Sequence, residues 1–391
     1  MPLIRILKKQ DLVQQISHHD AFYGFLFGYV LCLWVILLLV ACSSQSSSAP
    51  ATSTNQKSSL NKVPYDYSAY IEKITWDFNK TIRQAPGSDN WAVTWSDDDH
   101  QYTTWGDGGG FDGSNKEGRV SLGVGRIEGS FESFRGVNVW GGKNHENPAQ
   151  FEGKSYSILS VEGVLYMWVL PGSNSNNYSE ARLAHSANHG ASWTMTGWRF
   201  KRSDRIISPA FAQFGKDYSG ARDSYIYTYF IGLNNDKNLA VQKPGKIYLA
   251  RVNKERIMER NGYEFFGGLE DDGAPIWIKE ISMKRPVFED SNGVGWNMSV
   301  SYNAGLRRYL LLTEHTKSFQ GNLGMFDAPE PWGPWTTVCY YNNWGQFGTV
   351  FFWNVSNKWT SMDGRTMHII FTGTGDYDSF NTIKGIVRLK S

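Results

Sequence analysis

Cysteine is scarce in this 391-residue chain, which holds three, and their placement excludes a disulfide framework. Cys32 and Cys42 lie in an apolar N-terminal segment, so Cys339 stands alone in the remaining chain and packing must hold the fold. Charge is sparse too. Charged residues make up 19%, the formal net charge is +2, and no basic block occurs, which argues against nucleic acid or an anionic membrane face as partner. A neutral or weakly charged ligand fits this balance better. The sequence has no HExxH pair, cysteine cluster or acidic calcium loop, so neither a metal nor another cofactor is expected. His185 and His189 flank a turn, and His100 and His145 lack evident ligand partners. Helical patterning is missing as well, apart from a short turn at 254–259.

What is abundant is aromatic and turn-forming. Aromatics reach 15% with 16 Trp, and there are 40 Gly, the composition of a β-rich body with many tight turns. Hairpins read at 89–107, 154–170, 206–231, 295–315 and 351–376, with turn residues such as Asp97-Asp98-Asp99, Glu162-Gly163 and Asp363-Gly364 at their tips. Third strands follow at 119–127, 181–186, 246–252, 323–327 and 385–390, and fourth strands at 134–140, 193–200, 276–281 and 335–341. The fifth unit lacks a fourth strand, while a strand-like run at 74–78 precedes the first hairpin. The expectation is an all-β, five-bladed β-propeller whose N-terminal strand closes the last blade and so removes the open edge. The run Ser186-Ala187-Asn188-His189-Gly190-Ala191-Ser192-Trp193 resembles the Asp-box turn of sialidase-like propellers, with Asn188 and Ser192 in place of Asp and Thr; it marks fold, not chemistry.

Arg5, Lys8 and Lys9 precede an apolar run at 22–40 that ends in Leu39-Val40-Ala41-Cys42, which resembles a bacterial lipoprotein cleavage box. The competing reading is an uncleaved membrane anchor. The expected organisation is a signal peptide over 1–42, lipidation at Cys42, a Ser-rich tether over 43–70 and the propeller over 71–391. A monomer anchored in the cell envelope follows, and Ser43 after Cys42 resembles outer-membrane sorting.

With the three aspartates as the turn of the first hairpin, Ser96 faces His100, Trp91 faces Trp105 and Asp89 faces Asp107. Opposed Cβ atoms on a sheet lie roughly 5 Å apart, so two acids in that register repel unless they share a proton or serve a ligand. The same edge of the other hairpins offers Lys154, Ser208, Trp296, Asn297, Glu314, His315 and Asp376. Asp89, Asp107 and Glu314 are the catalytic candidates. Lys154, Trp296, Asn297, His315 and Asp376 are candidates for binding substrate, and Trp91, Trp105 and Phe111 for stacking on it. Each has a plainer use: Asp107 precedes Gly108-Gly109-Gly110 and can simply open a loop, and Trp between blades is ordinary core.

Several motifs carry a resemblance. Asp89-Asn90-Trp91 with Trp105-Gly106-Asp107-Gly108, Gly163-Val164-Leu165-Tyr166-Met167-Trp168, Gly220-Ala221-Arg222-Asp223 and Asp327-Ala328-Pro329-Glu330-Pro331-Trp332-Gly333 together resemble the bacterial domain-of-unknown-function propellers that include endo-D-arabinofuranases. The resemblance covers most of 85–390. It implies a five-bladed glycoside hydrolase with one acid early in the first strand and another in a Gly-Asp pair ending the second, positions that match Asp89 and Asp107. This chain departs from the arabinan-cleaving pattern by reading Asp-Asn-Trp for Thr-Asp-Leu-Gly and Gly-Asp-Gly for Gly-Asp-Thr, which leaves the sugar open. Paired carboxyls suit glycosidic hydrolysis of a polysaccharide or oligosaccharide. The alternatives are a glycan-binding lipoprotein without catalysis and a lyase using Tyr156, His315 and Arg222.

Overall fold

The structure is a computed structural model that describes residues 62–172, 179–234, 239–374 and 377–391. Among these residues every regular element is a β-strand or a single 3-10 turn, and the chain is an all-β protein of propeller type. The first meander is Asp89–Trp95, Gln101–Gly106, Gly123–Glu128 and Arg135–Trp140, each strand antiparallel to the next. Its tight turn follows from the aspartates: Asp98 Oδ1 accepts from His100 N at 3.0 Å, Tyr102 donates its hydroxyl to Asp98 Oδ2 at 2.7 Å, and Asp99 takes φ +65°.

The next group pairs Gly153–Lys154 and Ile158–Val161 with Val164–Pro171, which pairs with Glu180–Ser186. The 193–200 strand is broken into Thr194–Met195 and Phe200–Lys201. Before it comes the Asp-box-like turn, where Ser186 Oγ accepts from Gly190 N at 2.9 Å and Trp193 donates to Gly190 O at 2.9 Å. Ile206–Gln213, Tyr225–Gly232 and Gly245–Asn253 follow. The expected fourth strand at 276–281 proves to be half of an added hairpin, Glu264–Leu269 with Pro275–Ile278, and Pro286–Asp290 lies beside 245–248 as a further outer strand. Met298–Asn303, Arg308–Glu314, Leu323–Ala328 and Thr336–Tyr340 form the next meander.

Phe351–Val355 and Thr366–Thr374 are followed by the long strand Tyr377–Leu389, which begins eight positions earlier than its pattern suggested. Ile71–Trp76 pairs antiparallel with that strand from Leu389 to Gly385. It stops at Trp76 because Asp77 turns the chain into the 3-10 turn Phe78–Lys80. The end of the expected tether is structured: Thr337 N donates to Asp66 O and Ser68 N to Thr337 O, and Tyr65 packs on Phe288 at 5.2 Å.

Three inner strands share one defect. Asn90, Ser208 and Phe352 take φ of +60°, +48° and +53°, and each lies where strand pairing slips by a residue. A left-handed residue of this kind costs on the order of 1–3 kcal/mol except for Asn and Gly, so packing must enforce it, and bulges re-aim the side chains beside them. All three lie near the start of their strands, the edge where the candidate acids gather. Aromatic cores wedge the sheets together, for example Trp168 among Phe200, Phe211 and Tyr263 at 5.4, 5.8 and 6.1 Å.

Candidate active site

From the turn outward the first hairpin keeps the register expected of it: Ser96 N donates to His100 O, and Trp95, Thr94, Val93 and Ala92 oppose Gln101, Tyr102, Thr103 and Thr104. The bulge at Asn90 then shifts the pairing by one, so Asp89 opposes Gly106 rather than Asp107. This corrects the direct acid-to-acid pairing, although both acids stay at the same edge. Asp107 follows its strand with φ +55°. The glycine loop beyond it is tied down by Trp105 donating to Gly108 O at 3.0 Å and by Gly110 N donating to Ser88 Oγ at 2.9 Å. Gly108 can only be glycine, since a Cβ would lie 2.2 Å from Gly87 O and Ser88 Oγ.

Gly106 is the space through which the charges meet. A Cβ there would sit 2.7 Å from Asp89 Oδ1 and 3.1 Å from Lys154 Nζ, so the Asp89 carboxyl and the Lys154 ammonium flank one empty position. Lys154, a binding candidate, is 3% exposed and its ammonium forms an ion pair with Asp107 Oδ1. It is thus part of the acid cluster. Arg119 approaches the same oxygen at 3.5 Å from the solvent side and also donates to the Asp107 carbonyl. A third acid, Asp378, was not foreseen. It lies early in Tyr377–Leu389, and its carbonyl accepts from Gly87 N at 2.6 Å, two residues before Asp89. Asp376, the nearby candidate, lies outside the described residues. Asp376 and Asp378 are two apart and so share strand phase, and the period-two pattern of Asp378, Phe380 and Thr382 was the available signal.

Burial pushes the Asp89 carboxyl up to about 7; Lys154 opposes that rise, while Asp378 and Asp107 add to it. Its Oδ1 is shielded from solvent and has no hydrogen-bond partner among the described residues. Asp378 is likewise raised, by burial and then by Asp107, with Arg119 and Lys154 pulling the other way. The cluster therefore sets a carboxyl raised toward neutrality beside one paired with a buried ammonium.

Glu314 ends Arg308–Glu314 and is fully buried. Burial drives its carboxyl up to about 8, with the Phe319 amide, donating to Oε1 at 2.7 Å, as the main opposing influence. Aromatic rings surround it. Trp296 packs on Tyr156, Phe319 and Phe351 at 5.1, 5.4 and 5.7 Å. Trp296 and Asn297 are 2% and 1% exposed, so they are interior packing and not an open sugar platform. Asn297 Nδ2 donates to Asn90 Oδ1 at 3.4 Å, which links the Glu314 strand pair to the bulge beside Asp89.

Other expected binding groups are structural. Trp91 and Trp105 are fully buried and Phe111 nearly so; Trp91 packs on Trp105 at 5.7 Å and on Phe111 at 5.3 Å, and it donates to Ser88 O. They brace the acidic edge from beneath. His315 is buried, stacked on Tyr340 at 3.6 Å, with Nε2 bonded to Tyr341 O and Nδ1 to Thr316 Oγ1. Burial lowers it to about 3, so it is a neutral core histidine. Arg222 is held in a bidentate pair with Glu330, both contacts 2.9 Å, which leaves the suggested lyase trio unassembled. At the opposite end of the first hairpin, ligand-type atoms of Asp97, Asp98 and His189 lie within 4.8 Å of one another, but His189 already pairs with Asp97 and Tyr102 with Asp98.

A groove of about 430 Å³ opens next to Asp107, between Arg119–Ser121 and 149–152. Of the acid cluster, Asp107 lines it.

The family model for a domain of unknown function, DUF4185, matches residues 150–365, more than half of the chain. This chain belongs to the DUF4185 family. No curated protein matches it. Among solved structures, a Bacteroides ovatus ATCC 8483 protein assigned provisionally as a hydrolase aligns at 11% identity over 78% of this chain and 87% of that one, with a TM-score of 0.50. A GH43_1 enzyme from Xanthomonas citri aligns at 12% identity over 80% and 94%, TM-score 0.46, and a family 117 glycoside hydrolase from Zobellia galactanivorans at 10% over 82% and 92%, TM-score 0.43. The DUF4185 chain thus has glycoside hydrolases among its structural neighbours, and at these identities the likeness is one of fold.

Proposed function

We propose that this DUF4185 protein is a glycoside hydrolase of the bacterial cell envelope, built as a five-bladed propeller closed by Ile71–Trp76 and acting on a polysaccharide or oligosaccharide. The observation that supports it most is the juxtaposition of Asp89, whose carboxyl burial pushes up to about 7, with Asp107, held in an ion pair by buried Lys154. Glycosidic cleavage needs those two states at once. Asp89 gives its proton to the leaving oxygen. The Asp107 carboxylate stabilises the oxocarbenium-like centre or activates water, and the carboxyl separation in the bound complex, about 5 Å against roughly 6.5–9.5 Å, decides between retention and inversion. Glu314 is a second protonated carboxyl able to replace Asp89 as the acid.

The test is release of reducing ends from arabinans, xylans, uronate polymers and peptidoglycan-linked glycans. Binding without release from any of them supports a glycan-binding lipoprotein instead. Within an active enzyme, Gly106→Ala is expected to lower kcat by about 10²-fold, because its Cβ wedges between Asp89 and Lys154 and a displacement of about 1 Å costs that much. Unchanged kinetics with intact folding would remove Gly106, and the geometry drawn through it, from the mechanism.

The lipoprotein box supports lipidation of Cys42, with the propeller held at the outer membrane; these N-terminal residues lie outside the described ones. Cys42→Ser is expected to abolish palmitate labelling and leave a longer, uncleaved chain on a gel. Labelling that persists counts against the anchor.

A further inference from the structure

We infer that the groove beside Asp107 is a sugar subsite that takes a neutral furanose or pyranose ring adjoining the linkage to be cut. The inference rests on the hydrolase reading and gives it a substrate class. Its volume of about 430 Å³ falls among small-molecule sites, roughly 300–1,000 Å³. Asp107 belongs to its wall, so a chain held there continues directly into the acid cluster.

The walls have the makeup that a sugar ring requires, an apolar platform rimmed by polar groups. Phe151 is half-buried, with its ring set against Trp140 at 4.9 Å, and Trp140 is fixed in turn by donating its indole N–H to Gln150 Oε1 at 2.7 Å. A platform braced in this way loses little side-chain freedom when a ring's C–H face covers it. Val120 extends the apolar patch, while Ser121, Glu152 and Arg119 supply hydroxyl, carboxylate and guanidinium at the rim. Arg119 is held by the Asp107 carbonyl and by Asn115, which keeps its donors in place. Two cations, Arg119 and the buried Lys154, stand against two carboxylates, Asp107 and Glu152, and Lys154 is already paired with Asp107. The charges balance with both cations paired to Asp107, so the groove offers a uronate no unmatched countercharge and neutral hydroxyl-bearing rings are the matching class.

The test uses the mature chain carrying Asp89→Asn, which blocks turnover, titrated calorimetrically with neutral arabino-, xylo- and gluco-oligosaccharides of one to five rings and with oligogalacturonates. Affinity should rise about ten-fold when the oligosaccharide becomes long enough to reach the groove. Adding Phe151→Ala should remove that gain and leave monosaccharide binding unaltered. Phe151→Leu, which keeps bulk but not the aromatic face, should remove most of it without a change in melting temperature and so excludes unfolding as the cause. Oligogalacturonates should bind at least ten-fold more weakly. A length gain untouched by both variants, tighter binding of the uronates, or no binding of any oligosaccharide overturns the subsite. The outcomes separate the two claims: Phe151-dependent binding by a wild-type protein that cleaves nothing keeps the subsite and removes the hydrolase. Cleavage of long glycans indifferent to Phe151 does the reverse.

Discussion

Replacing Asp89 with Asn is expected to lower kcat by about 10²–10⁴-fold, the usual contribution of a positioned general acid, while KM changes little. Asn keeps the shape of the protonated carboxyl but has no acidic proton for the leaving oxygen, so binding survives and chemistry does not. The pH dependence of the unsubstituted enzyme gives a sharper check. Asp89 must be protonated to act as the acid, so activity should fall on the alkaline side with a midpoint near its value of about 7. Neighbouring charges set that midpoint, and they act in opposite directions. Asp378→Asn removes a negative charge that helps keep the proton on Asp89, and the alkaline limb should move to lower pH. Lys154→Met removes the opposing ammonium, and the limb should move to higher pH. Asp107 and Arg119 complete the charged groups facing this cluster. Two shifts of the same sign, or an Asp89→Asn enzyme within a few-fold of wild type, would transfer the acid role to Glu314 or dismiss the mechanism.

Glu314→Gln is expected to make the protein more stable at alkaline pH. The buried carboxyl binds its proton more tightly when folded, about 8 against an ordinary 4.5. Its stabilising contribution is therefore complete below pH 4.5 and is lost progressively as pH rises toward 8. At about 1.4 kcal/mol per pH unit the loss has an upper bound of about 5 kcal/mol, and relaxation around the ionised group lowers it. Gln can still accept from the Phe319 amide through its carbonyl and never ionises. Denaturant melts at pH 5 and pH 9 should show the two proteins nearly equal in acid and the variant several kcal/mol ahead in alkali. Asp89 imposes a similar slope, so wild-type stability should still decline across neutrality in the variant. Equal stabilities at pH 9 would mean that Glu314 reaches water or a countercharge when it ionises.

The first hairpin shows how far pattern reading reaches. Three aspartates in a row define a turn because short acidic side chains bond to the nearby backbone, and from that turn the register of Ala92–Trp95 against 101–104 follows by counting. Counting fails at Asn90. A bulge adds one residue to one strand, and nothing in the alternation of Asp89-Asn90-Trp91 announces it. The indoles illustrate a different limit. Trp beside paired acids suits a sugar platform and a packed core equally well, and only Phe111 from its own glycine loop and Phe380 from the neighbouring sheet assign Trp91 to the core. The groove at Phe151 was invisible for a related reason: one wall, 149–152, is a connection with no pattern of its own, and the other, 119–121, read as the start of a strand that begins only at Gly123.

Local chemistry was written in the chain itself. Alternating apolar residues, glycine and aspartate turns and the lack of helical periodicity established an all-β body, and they also placed Asp89, Asp107 and Glu314 at strand ends, because each depends on interactions within a few residues. What only the tertiary structure decided is the company those acids keep. Asp378, from the last strand, meets Asp89, from the first hairpin, and Lys154 enters from a neighbouring strand group to pair with Asp107. Burial and charge contacts between distant segments determine which carboxyl keeps its proton, and no local pattern encodes a field built by parts of the chain that meet only after folding.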